Sequence, residues 1–134
     1  MDTQKGLLQD KVAIVTGAAQ GLGEALAQRL DKEGCKVVVA DINYEGARKV
    51  AEGLKDAIAV KVDVTSEEQV EEMVNTAVEK YGRLDMFVSN AAILIAKAVD
   101  EFTAEEWRKM IDVNLTGYFL CARAAAKVMK RQKS

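Results

Sequence analysis

The residues of this chain best suited to chemistry lie in Thr16-Gly17-Ala18-Ala19-Gln20-Gly21-Leu22-Gly23, with one carboxylate, Asp41, further on. The spacing is G-x3-G-x-G rather than G-x-G-x-x-G. Before the glycines runs apolar Val12-Ala13-Ile14-Val15. After them Glu24-Ala25-Leu26-Ala27-Gln28-Arg29-Leu30 carries apolar residues at helical spacing. A buried strand therefore enters a glycine turn that opens a helix. The first N–H groups of a helix have no partner within it, and the helix dipole favours an anion there. Glycine lets a pyrophosphate approach the backbone without a side chain in the way. Taken alone, the glycines also fit a tight turn with no ligand. Asp41 adds to them. It ends a second apolar run, Lys36-Val37-Val38-Val39-Ala40, about 20 residues past the glycines, where an acidic residue can take the ribose hydroxyls of an adenine dinucleotide. Asp41 by itself fits a cap or a solvated loop equally well. Glycines and carboxylate together point to a nicotinamide dinucleotide.

The elements that must position these residues alternate along the chain. Strands are predicted at about 11–16, 36–40, 57–63 and 84–90. Helices are predicted at about 22–33, from the cap Asn43 to 54, and from 66 to Tyr81, with Gly34 and Gly82 as stops. Ser66-Glu67-Glu68-Gln69 and Thr103-Ala104-Glu105-Glu106 read as capping boxes. The second opens a long helical region reaching about Lys130. Such alternation implies right-handed βαβ units, a parallel sheet with helices on both faces, and one α/β domain over 1–134.

The long helical region carries two apolar stripes. One is Ile111, Leu115, Tyr118, Ala122, Ala125 and Met129. The other is Val113, Gly117, Leu120, Ala124 and Val128. A helix apolar on two sides is expected to be buried on two sides. One stripe covers the sheet, and the second, assigned to Val113, Leu120, Ala124 and Val128, is left for a partner.

Composition narrows the function classes. The chain has 134 residues, 49% hydrophobic and 30% charged, with a net charge of −2. This fits a soluble globular α/β domain with a real core. No apolar run is long enough to span a bilayer, and 1–5 do not form a signal peptide, so a cytoplasmic protein without a membrane partner is expected. The basic tail 130–133 is too short to imply nucleic acid. There is no histidine, which excludes histidine-based triads and histidine-ligated metal from this chain. Cys35 and Cys121 show no metal spacing and read as packing residues. No metal site is expected.

With these features together, the chain resembles the short-chain dehydrogenase/reductase family. The resemblance rests on the glycine turn, Asp41, Asp63-Val64, Asn90-Ala91-Ala92, and Asn114 in Asp112-Val113-Asn114-Leu115-Thr116-Gly117. It covers nearly the whole chain from about Lys11. It implies a Rossmann-like three-layer αβα fold with strand order 3-2-1-4, incomplete before a fifth strand. It also implies NAD as cofactor. Gly17, Gln20, Gly21, Leu22 and Gly23 would hold the phosphates, and Asp41 and Ile42 the ribose. Asp63 would take the adenine amino group with Val64 nearby. Asn90, Ala91 and Ala92 would lie beside the cofactor. Asn114 would sit in a helix irregularity and help hold a water in a proton relay. Ile93 stands where the family usually has glycine.

The family's catalytic Tyr-x-x-x-Lys and its preceding Ser have no match. Tyr44, Tyr81 and Tyr118 are followed four residues on by Arg48, Asp85 and Ala122. The resemblance therefore implies the dinucleotide-binding half of an NAD-linked alcohol/carbonyl oxidoreductase, inactive alone. Stretches 84–92 and 98–110 look faintly like its sugar-alcohol, sorbitol-type members. A non-catalytic nucleotide-binding or assembly module is the alternative. A homodimer through Thr103–Lys130 or the edge of strand four is expected, since the family pairs the matching helices.

Overall fold

The computed structural model describes residues 6–133. Four strands, β1 (Val12–Thr16), β2 (Lys36–Asp41), β3 (Ala57–Lys61) and β4 (Met86–Val88), form a parallel sheet in the order β3-β2-β1-β4. Five α-helices connect or cover them: α1 (Gly21–Lys32), α2 (Tyr44–Glu52), α3 (Glu67–Tyr81), α4 (Ala104–Ile111) and α5 (Gly117–Gln132). A π-helical turn, Asp112–Thr116, joins the last two. This is the expected Rossmann-like topology.

Strand pleating sorts the core into two layers, because successive side chains point to opposite faces. Ile14, Val38 and Ala40 face α3 and α5, where Val70, Met73, Val74, Leu120, Cys121, Ala124 and Val128 close over them. Val15, Val37 and Val39 face α1 and α2, against Ala27, Ala47 and Ala51. β1 is buried throughout, as a central parallel strand must be.

Several local expectations change. β3 stops at Lys61, and β4 keeps only three of its seven expected residues. The cause at the start of β4 is Gln132, whose side-chain amide bonds the Leu84 N–H (2.6 Å) and carbonyl (2.8 Å) in place of a ladder partner. Leu84 is fully buried all the same. Asp85 accepts the Val12 N–H at 2.9 Å and pairs with Arg83. Burial pushes the Asp85 carboxyl pKa up, but the Arg83 and Val12 hydrogen bonds with the Arg83 and Lys11 charges outweigh it and leave the pKa lowered.

The Ser66 box is only half formed. Ser66 Oγ accepts the Gln69 N–H at 3.3 Å, but Gln69 Oε1 is drawn away to the Asp63 N–H at 2.8 Å. The Thr103 box closes on both sides. Lys97 reaches Glu106 of that box at 2.7 Å, lowering the Glu106 pKa.

The long helical region is not one straight helix, and its two stripes exchange roles. Leu120, Ala124 and Val128, expected on the open side, are buried against the sheet and α3. Leu115, Tyr118 and Phe119 are more than half exposed instead, as is Trp107 of α4. Arg123–Glu67 and Lys127–Glu71 tie α5 to α3 in this rotation. Both cysteines are buried and unbridged. Burial raises the Cys35 thiol pKa and pushes that of Cys121 up to about 11, which suits packing rather than nucleophilic chemistry.

Candidate functional site: a cleft at the carboxyl ends of the strands

All four strands end at one cleft, the usual ligand position in an open α/β sheet. It is a cavity of about 880 Å³, within the range of small-molecule and cofactor sites. Its lining includes Gly17, Gln20, Gly21, Asp41, Ile42, Asp63, Val64, Asn90, Ala91 and Ala92. Sequence reasoning had singled out each of these, and the fold brings them together from four separate loops. Leu22, Gly23 and Asn114 are not in the lining. Leu22 is largely exposed, while Gly23 is buried behind the turn.

The glycine turn explains its own composition. Gly17 and Gly21 have φ of +66° and +60°, in the left-handed region that favours glycine. A Cβ on Gly21 would meet no protein atom within 4 Å, so its missing side chain leaves space in the cleft. A Cβ on Gly23 would fall 2.2 Å from the Gly17 carbonyl oxygen and 2.6 Å from Asn90 Nδ2. Gly21 thus keeps the cleft open, and Gly23 lets the helix start close against the turn.

The start of α1 differs from those of α2, α3 and α4. Asn43, Ser66 and Thr103 each cap α2, α3 and α4 with a side-chain acceptor, but Gln20 makes no such bond for α1. No side-chain cap takes the first helical N–H groups beside Gly21, an arrangement that suits a phosphate oxygen. The residues present therefore fit a dinucleotide.

The carboxylates are partly committed. Asp41 Oδ2 accepts the Ala19 N–H at 3.0 Å, and Oδ1 accepts the Asn43 N–H at 2.9 Å. Asp41 thus pins the glycine turn to the end of β2. Asp63 Oδ1 accepts from Thr65 N–H (2.9 Å) and Thr65 Oγ1 (2.7 Å). A carboxylate has acceptor capacity beyond these bonds, so both can still receive a ligand donor.

Thr16 and Asn114 hold the wall after β4. The buried Thr16 Oγ1 donates to the Val88 carbonyl at 3.4 Å and accepts the N–H groups of Asn90 (3.1 Å) and Ala91 (3.2 Å). Asn90 Nδ2 in turn donates to the Gly17 carbonyl at 3.2 Å. Sequence reasoning placed Thr16 in the motif but gave it no role. Asn114 sits in the π-helical turn, the irregularity expected for it. Its amide accepts the Ile93 N–H and donates to the Ile93 carbonyl, both at 2.8 Å. Asn114 is exposed, so these bonds meet no burial cost but tie the π-helical turn to Ile93 through its backbone alone. A fifth wall completes the cleft: Asp112 and Val113 stood in the Asn114 motif, but no site motif marked Glu105, Arg108 and Lys109 of α4. Only tertiary packing brings them to the cleft.

Comparisons with known proteins agree with this geometry. The family model for short chain dehydrogenase matches residues 11–134. An uncharacterized oxidoreductase of Thermotoga maritima is 43% identical over 127 residues, 92% of this chain and 50% of that protein. An uncharacterized oxidoreductase of Staphylococcus aureus is 41% identical over 130 residues, 96% of this chain and 56% of that one. A crystal structure of a short-chain type dehydrogenase/reductase from Mycobacterium marinum superposes with a TM-score of 0.89 at 35% identity, covering 93% of this chain and 52% of the other. The chain spans about half the length of these relatives.

Proposed function

This chain belongs to the short chain dehydrogenase family, and on that premise we propose that it is the NAD-binding portion of an oxidoreductase interconverting an alcohol and a carbonyl compound. One observation carries the reading. The start of α1 lacks a side-chain cap beside Gly21, whose absent side chain leaves the cleft open at that point. NAD supplies the hydride acceptor when bound. This chain's own residues bind and orient it. Gln20, Gly21 and the N–H groups of α1 take the phosphates, with Leu22 at the rim and Gly17 and Gly23 shaping the turn. Asp41 and Ile42 take the adenosine ribose, and Asp63 and Val64 the adenine. Asn90, Ala91 and Ala92 form the wall beside the cofactor. Asn114 holds that wall, and its Oδ1 retains a lone pair for a relay water.

The 134 residues contain no Tyr-x-x-x-Lys to supply the acid/base proton. Loss of such a group typically costs about 10²–10⁴-fold in rate. Binding without turnover is therefore the expected behaviour of this chain by itself. Calorimetry with NAD and NADP, followed by an assay with simple alcohols and ketones, tests both halves of the reading. NAD should bind at least about tenfold more tightly than NADP, because Asp41 repels a 2′-phosphate. Asp41→Ala should narrow that gap and also weaken NAD, since the Ala19 and Asn43 N–H groups lose their acceptor. Equal affinity of the unmutated chain for the two cofactors sinks the assignment. Turnover that survives repurification overturns the second half.

Self-association is proposed on a separate observation. Trp107, Leu115, Tyr118 and Phe119 expose large apolar surface on α4, the π-helical turn and α5. Among the described residues β4 pairs with β1 alone. Such patches commonly mark interfaces. A homodimer through the helical region is expected by light scattering at micromolar concentration, and Trp107→Glu with Phe119→Glu should shift it to monomer. A soluble monomer of the unmutated chain refutes this.

A further inference from the structure

The fifth wall of the cleft carries charge that the sequence motifs do not account for. Glu105, Arg108, Lys109, Asp112 and Val113 follow the spacing i, i+3, i+4, i+7, i+8, so one face of α4 and the π-helical turn lines the cavity. Val113 anchors this face by packing against the cluster that holds Val62 and Val64. The other charged lining residues, Asp41 and Asp63, are acidic. Among the described residues, Arg108 and Lys109 are thus the only cations lining a cavity that carries four carboxylates.

Their pairing makes them more telling. Glu105–Lys109 and Arg108–Asp112 stand at i,i+4, and Glu105–Arg108 at i,i+3, spacings at which opposite charges meet on a helix. None of these ion pairs is formed. Arg29 and Arg48 both use such partners elsewhere in the structure. Two exposed cations with acidic neighbours at hand instead remain available at the cleft.

We infer that Arg108 and Lys109 offset the carboxylates around the cleft, Glu105 and Asp112 of their own wall first, and so lower the repulsion that the phosphates of the bound nucleotide meet there. The inference rests on the dinucleotide reading and deepens it. The glycine turn supplies N–H donors and the dipole of α1 but no formal charge, so the formal positive charge around the cleft comes from Arg108 and Lys109. The wall acts through charge at a distance rather than by contact with the adenine ring. Its contribution must therefore scale with ligand charge and fade with salt.

The test is calorimetric titration of this chain with adenosine, AMP and ADP at low and high salt. The variant is Arg108→Gln with Lys109→Gln, two exposed helix positions where glutamine keeps helix propensity. The control is Lys32→Gln with Lys80→Gln, which changes net charge equally but lies outside the cleft. The wall variant should bind ADP about three- to tenfold more weakly at low salt, bind adenosine as before, and lose its deficit at high salt. The control should match the unmutated chain. Unchanged ADP affinity, or an equal loss for adenosine and ADP, overturns the inference while leaving the dinucleotide reading standing. Failure of the unmutated chain to bind ADP or NAD overturns both.

Discussion

Gly21→Val should abolish dinucleotide binding in a chain that still folds, whereas Gly23→Val should disrupt the turn itself. Both positions are motif glycines, yet their surroundings differ. Gly21 sits at φ +60° with no protein atom within 4 Å of a built Cβ. Valine there bears left-handed backbone strain of about 1–3 kcal/mol, which a domain of ordinary stability can withstand. Its branches, however, occupy the phosphate path, and a loss of at least about a hundredfold, or ~3 kcal/mol, is expected. At Gly23 the new Cβ would fall 2.2 Å from the Gly17 oxygen, which is backbone and cannot rotate away. Destabilisation of about 3 kcal/mol or more is expected. Thermal melts and NAD calorimetry on both variants separate the cases. A Gly21→Val chain that binds NAD as tightly as the original would reduce that glycine to a turn residue.

The same contrast shows what the sequence could and could not convey. The glycines and Asp41 were legible from their places at strand ends, and Asp63-Val64 and Asn90-Ala91-Ala92 through the family resemblance; parallel strands deliver their carboxyl ends to one place. Asn43 and Thr103 were legible as caps because a cap is a local arrangement. Ser66 was legible only in part, since the competing Asp63 N–H comes from outside the box. β4 was read too long. Gln132, 48 residues away, takes the backbone of Leu84, and Thr16 takes the N–H groups beyond Val88. No local pattern reports such partners.

The misread helix stripe has a related cause. Both stripes on α5 are apolar, so hydrophobicity could not say which meets the sheet. The choice is made by contacts to α3, with Arg123–Glu67 tying the two helices in that rotation. The α4 part of the fifth wall was invisible for the same reason. Glu105, Arg108 and Lys109 look like an ordinary solvated helix face until the π-helical turn and Val113 set that face over the cleft.

Thr16 is where a buried hydroxyl links strand ends to site, and Thr16→Val should damage both stability and binding. Its hydroxyl is fully used: one donor to Val88, two acceptor positions to Asn90 and Ala91. Valine keeps the shape but leaves the Ala91 N–H without an acceptor, while the Asn90 N–H keeps the Val88 carbonyl at 3.1 Å. One such group costs about 1–3 kcal/mol when buried. A net loss of about 1–3 kcal/mol in urea denaturation is expected. The freed Asn90-Ala91 wall also lines the cleft, so NAD affinity should fall beyond what the stability loss explains, measured where the variant is fully folded. Thr16→Ser should restore both properties, because it returns the hydroxyl and lacks only a methyl group. If Thr16→Val unfolds within about 0.5 kcal/mol of the original, the size of an ordinary surface substitution, the Ala91 N–H has found another acceptor. The hydroxyl would then not be what joins β1 to the wall of the site.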